Sequence, residues 1–102
     1  MSTLSKRLKE ARLRAGLSQE QLGLQIGLEP ASASTRMNRY ELGKRGPDLE
    51  LVERIAEALG LPAAYFYAVR DEEAELLREF NALSTKGKKR VFDVIAEART
   101  LR

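Results

Sequence analysis

The chain contains neither histidine nor cysteine. The commonest general base, the most reactive nucleophile and the softer metal ligands are therefore all missing. Lysine, glutamate and tyrosine chemistry remains open to it, but no paired carboxylates and no glycine-rich phosphate loop stand out. The expectation is a protein that is not an enzyme and uses no cofactor or metal. The side chains with a chemistry to offer are cationic. Residues 1–47 carry nine of them (Lys6, Arg7, Lys9, Arg12, Arg14, Arg36, Arg39, Lys44 and Arg45) against the four acids Glu10, Glu20, Glu29 and Glu41. Residues 48–67 reverse the balance, with Arg54 against Asp48, Glu50, Glu53 and Glu57. The first half could meet a polyanion while the next segment turns away from it. An ordinary mixed surface explains the charges equally well, so charge alone does not decide.

The elements that must position these charges are all helical. The 102 residues, 43% of them hydrophobic, suffice for one modest core. No apolar run approaches the length of a membrane span, and the N-terminus carries charges where a signal peptide needs an apolar stretch. With cysteine absent, the expected location is the reducing cytoplasm, with no membrane partner.

Leu4, Leu8, Ala11 and Ala15 recur at three- and four-residue steps and predict a first helix, ended by Gly16. Ser18-Gln19-Glu20-Gln21 reads as a capping box opening a second helix, with Leu22 and Ile26 facing inward and Gly27 ending it. A third helix must hold Met37, Tyr40 and Ala33 on its buried side, and Gly43 and Gly46-Pro47 close it. Asp48 caps a fourth, with the stripe Val52, Ile55, Ala56 and Leu59, and residues 63–67 suffice for one short helix. A sixth opens on Asp71, Glu72 and Glu73, and a seventh begins at Ser84 with Val91, Val94, Ile95, Ala98 and Leu101 on one side. No strand-like alternation, repeat or linker appears. The fold class is all-α.

Two short helices joined by a tight turn, the second bearing small and hydrogen-bonding residues, form the layout of a helix-turn-helix. A helix fits the major groove of DNA, where each base pair shows a distinct donor and acceptor pattern. The first helix of such a pair offers its free N–H groups to phosphates, which would set Gln19 against the DNA backbone.

Residues 4–66 resemble the Cro/repressor-type helix-turn-helix family, also called the xenobiotic-response-element family. The resemblance is carried by Leu8-x-x-Ala11-Arg12, then Gly16-Leu17-Ser18-Gln19-Glu20-Gln21-Leu22 and Ile26-Gly27-Leu28. Tyr40-Glu41-x-Gly43-Lys44, Pro47 and Ile55-Ala56-x-Ala58-Leu59-Gly60 complete it. It implies a five-helix, lambda-repressor-like domain over residues 1–67 that binds double-stranded DNA. It also implies a bacterial or phage regulator, expected to be a repressor acting as a homodimer on a palindromic operator. It further implies an ion pair between Arg12 and Glu41, since a charge on each inner face would need its partner.

The sequence departs from the family at one place. Between the glycine ending the second helix and Glu41 it holds about four residues more than usual, close to one helical turn. An added turn would lengthen the third helix at its N-terminus, with Pro30 in the first turn and Glu29 as cap, and this is the favoured expectation. The alternative is a longer loop, with Ser32 or Ser34 as cap. Carried over by motif, the base-contacting positions are Ser34, Thr35, Arg36, Asn38 and Arg39. Arg39 would pair with guanine and Asn38 with adenine. Lys44 and Arg45, following the helix, join Gln19 as expected phosphate contacts.

Residues 68–102 are expected to form a helical hairpin with a short Ser84-Thr85-Lys86-Gly87 connection. Two wide apolar stripes cannot both be hidden within one hairpin, so it must pack on the N-terminal domain or on a second subunit. The rival reading of the whole chain is a protein-interaction module, an antitoxin or anti-factor that masks a protein partner. Such a module would not need the basic 1–47 half.

Overall fold

The computed structural model describes residues 2–101. Six α-helices and one short 3-10 helix follow in order, with no strand among the described residues. Helix α1 (Thr3–Arg14) starts where the Ser2 hydroxyl accepts from the Ser5 amide, and it buries Leu8 and Ala11. Ala15 lies exposed at its C-cap rather than in the core stripe, and Gly16 follows with φ +72°, a left-handed turn that side chains resist. Helix α2 (Gln19–Gln25) carries the expected capping box: Ser18 Oγ accepts from the Gln21 amide at 3.0 Å, and Gln21 Oε1 accepts from the Ser18 amide at 2.8 Å. Leu22 and Ile26 are buried as predicted.

Helix α3 (Ala33–Glu41) does not extend back to Pro30. The additional residues form a turn instead, closed by the Ser32 amide donating to the Glu29 carbonyl at 3.0 Å. The expected extra helical turn is thus corrected, and the physical reason is the packing of Ala33. Ala33 is fully buried beside Gly23, where a Cβ on Gly23 would come within 2.9 Å of the Ala33 Cβ. The chain must double back from the end of α2 to reach that contact. Residues 28–32 make the reversal, and Ser32 stands at the cap position without a side-chain cap hydrogen bond.

Helix α4 (Leu49–Leu59) is capped by Asp48, whose carboxylate accepts from the Leu51 amide at 2.8 Å, and it buries Val52, Ile55 and Ala56. The 3-10 helix Ala63–Tyr67 supplies Tyr65 and Phe66 to the same core. Leu8, Leu22, Met37, Val52, Ile55 and Phe66 are at most 1% exposed, and they close a head made by α1 to the 3-10 helix. Burying a side chain of this size contributes about 1.5–3 kcal/mol, so these few residues dominate the head's stability.

Two helices follow the head, α5 (Asp71–Ala82) and α6 (Thr85–Ala98). Helix α5 is fastened to α1 by Arg7, a cation expected at the surface but only 1% exposed. Its Nε donates to the Ala68 carbonyl at 2.9 Å and its Nη1 to Asp71 Oδ1 at 2.9 Å. Lys6 Nζ reaches the same carboxylate at 3.1 Å, and these two hydrogen bonds hold Asp71 below the ordinary carboxylate pKa. Beside them Tyr65 Oη donates to Glu10 Oε1 at 2.7 Å, and burial together with Glu10 raises the Tyr65 pKa. At its other end α5 is held by Asn81, whose Nδ2 donates to the Gly60 carbonyl at 3.1 Å. Helix α6 buries no residue and extends the molecule to 54 × 26 × 22 Å.

Candidate nucleic-acid interface

The α2–α3 pair forms because Gly23 lets two helix backbones approach closely. A side chain there would also stand 3.1 Å from the Ala33 carbonyl oxygen and 3.2 Å from Met37 Cγ. This contact fixes which side of α3 turns inward: Ala33, Met37, Tyr40 and Glu41 are buried. At helical spacing the opposite side must carry residues 34, 35, 38, 39 and 42. Ser34, Thr35, Asn38, Arg39 and Leu42 are all exposed. Four of the five positions expected at the bases therefore share one outward stripe. Leu42, half exposed at its end, was not among them.

Arg36 sits apart from that stripe. It is only partly exposed, its Nη2 donates to Tyr40 Oη at 2.8 Å, and its guanidinium lies 5.9 Å from the centre of the Tyr40 ring. Stacking on an aromatic face and bonding its hydroxyl hold this guanidinium at the flank of α3. There Arg36, Arg39 and Arg45 border one concavity with Ser32 and Tyr40. Three arginines bordering one hollow give it a positive lining.

Gln19 stands at the first position of α2, over the outward stripe. Its Nε2 donates at 3.2 Å to Asn38 Oδ1 and at 3.2 Å to Glu41 Oε1. The residue expected at a phosphate and one expected at a base are thus in direct contact. Sequence spacing gave no sign of this contact, because it depends on how α2 crosses α3. Lys44 and Arg45 are exposed in the segment after α3. Neither they nor Arg39 has a carboxylate partner within ion-pair distance among the described residues.

The structure redistributes the basic charge of the first half. Arg7 and Arg12 turn inward to carboxylates, and Lys6 pairs with Asp71. Arg39, Lys44 and Arg45 remain unpaired around α3, with Arg36 beside them. Asp48 caps α4, and Glu50 accepts from Arg54 at 3.1 Å one turn along the same helix. Cations set around a stripe whose one charge is Arg39 are the arrangement that phosphate positioning and base-edge readout jointly require.

Arg12 and Glu41 meet as the family resemblance implies, at 2.6 Å between Nε and Oε2. No described helix is long and apolar enough to cross a membrane.

Residues 8–66 match the family model described as helix-turn-helix. No curated protein matches the chain. Among solved structures, that of the transcriptional regulator BswR superposes with a TM-score of 0.87 at 42% sequence identity, covering 91% of this chain and 92% of that one. The likeness therefore runs past residue 66 into the C-terminal helices.

Proposed function

The chain belongs to the Cro/repressor-type helix-turn-helix family of DNA-binding regulators, and we propose that it represses transcription by occupying a palindromic operator as a homodimer. Helix α3 enters the major groove with Ser34, Thr35, Asn38 and Arg39 toward the base edges. Arg39 pairs with guanine and Asn38 with adenine. Gln19, Lys44 and Arg45 take phosphates on either side. Arg36 departs from the sequence expectation in this proposal: tied to Tyr40, it joins the phosphate contacts.

One observation carries the reading. The outward stripe of α3 is uncharged apart from Arg39, and the unpaired cations Lys44 and Arg45 stand at its edge. A half-site read by one short helix is too small for tight binding, which is why two copies are needed. A masking module for another protein has no use for that pattern of charge.

Selection of bound sequences from a random duplex pool tests the proposal. It should return two related half-sites in inverted orientation, with centres about 10 base pairs or a multiple apart. Failure to enrich any sequence would overturn it.

A further inference from the structure

The α5–α6 hairpin leaves an apolar face bare. Val91, Val94, Ile95 and Ala98 recur at helical spacing along α6. Phe92 is 61% exposed, Ile95 47%, and Leu76 of α5 60%. The two helices touch where the Phe80 and Phe92 rings meet edge to face, 5.7 Å between centres. Lys88 Nζ also lies 5.7 Å from the centre of the Phe80 ring, and beside these contacts opens a groove of about 520 Å³ lined by Leu76, Leu77, Phe80, Val91, Phe92 and Ile95. A 14-residue helix with no buried residue is marginal in water on its own. The head does not cover it: α5 is pinned at both ends, by Arg7 to Asp71 and by Asn81 to Gly60, and α6 beyond it buries no residue.

The charges beside the groove identify the occupant. Helix α5 carries five acids and one base, Arg78. Asp71 turns to Lys6 and Arg7, and Glu75 borders the same hollow against the head, which leaves Glu72, Glu73 and Glu79 for a partner. Helix α6 carries four bases (Lys86, Lys88, Lys89 and Arg90) and two acids, Asp93 and Glu97. One surface thus holds both halves of a complementary pair. A two-fold contact between identical hairpins brings each α5 against the other copy's α6, satisfying both charges twice. We propose that this groove is the interface with a second copy of the chain, α6 of each lying along the groove of the other with its basic first turns beside the acidic α5. The inference rests on the dimer reading above and assigns that dimer its surface.

Sedimentation of the full-length chain without DNA tests it. At about 100 μM, well above the Kd expected of an interface of standard size, the wild type should be a dimer. Ile95→Asp and Phe92→Glu should each sediment as monomers with the thermal unfolding of the head retained, because α6 contributes nothing to the core. Glu72→Lys with Glu79→Lys in one chain, and Lys89→Glu with Arg90→Glu in another, should each weaken self-association roughly tenfold or more through like charges. Mixing the two reversed chains should restore the dimer. A monomeric wild type, an Ile95→Asp variant that dimerises like wild type, or a mixture no tighter than its parts would overturn the proposal. A dimeric chain that ignores duplex DNA would support the surface and sink the operator reading. A monomer that binds the selected operator would do the reverse.

Discussion

Arg12 and Glu41, 29 residues apart, meet as a two-pronged pair: Nε lies 2.6 Å from Oε2 and Nη2 lies 3.0 Å from Oε1. The pair ties the last turn of α1 to the last residue of α3. The third prong of the guanidinium, Nη1, donates to the Leu17 carbonyl at 2.7 Å, and Glu41 also accepts from Gln19. One buried carboxylate and one buried guanidinium therefore hold α1, the start of α2 and α3 in register. Parallel charge-assisted bonds of this kind fix orientation as well as distance.

Removing one partner strands the other charge in a poorly solvated place. Glu41→Ala should destabilise the fold by about 3 kcal/mol in urea titration, and Arg12→Ala by a similar amount. The double variant should lose clearly less than the two losses added together, since neighbours in one network couple by about 0.5–3 kcal/mol. Additive losses would show that the pair does not form in solution.

Gly23 controls the placement of the reading helix. Alanine at a helical glycine usually gains up to about 1 kcal/mol in propensity. Here the new methyl meets the Ala33 backbone carbonyl and Cβ, atoms that cannot move without moving α3. Overpacking of that kind costs about 1–3 kcal/mol and wins over the propensity gain. Gly23→Ala should lower the denaturation midpoint and weaken operator binding together. A stabilised variant with unchanged DNA affinity would refute the close approach.

What could be read from the sequence was local. The Ser18–Gln21 capping box, the Asp48 cap and the inward Met37 and Tyr40 follow from residue types a few positions apart. Arg7 defeated the same reasoning: apart from Glu10, three residues on, its acceptors lie 61 to 64 residues downstream on Ala68, Val69 and Asp71, and no local pattern signals its burial. The turn at residues 29–32 was undecidable by periodicity, because an insertion of nearly one helical turn preserves the inward face whether it is helix or loop. The contact between Gly23 and Ala33 settles it, and that contact exists only in three dimensions. For the same reason the stripe of α3 was largely legible, whereas the Arg36–Tyr40 and Gln19–Asn38 contacts were not.

Asp71 links acid stability to the joint between α1 and α5. Lys6 and Arg7 hold its pKa below the unfolded value, so its contribution is fully present above that value, near pH 4. It is lost as pH falls through the lower folded value. Asp71→Asn should therefore lower stability slightly at neutral pH and flatten the decline below about pH 4, where wild type and variant converge. Thermal melts across pH 2–7 check this. A variant whose acid limb stays as steep as wild type would mean the carboxylate is unpaired in solution.

Base readers and phosphate contacts should separate when variants are profiled against the selected operator and its single-base changes. Asn38 and Arg39 lie on the outward stripe of α3, and losing a two-pronged base contact costs about 1–3 kcal/mol at one position. Asn38→Ala and Arg39→Ala should therefore weaken the best site and flatten preference at particular base pairs. Lys44 and Arg45 lie beyond the helix, and a lost phosphate contact weakens all sequences alike while reducing the salt slope by about 1 per half-site. Lys44→Ala should leave the ranking of sites intact. Gln19 predicts an intermediate case, because its amide holds Asn38 at 3.2 Å: Gln19→Ala should lose affinity everywhere and additionally blur the base pair that Asn38 reads. Competition binding at two salt concentrations distinguishes the three patterns. If Asn38→Ala and Lys44→Ala gave the same specificity profile, the placement of α3 in the groove would be wrong.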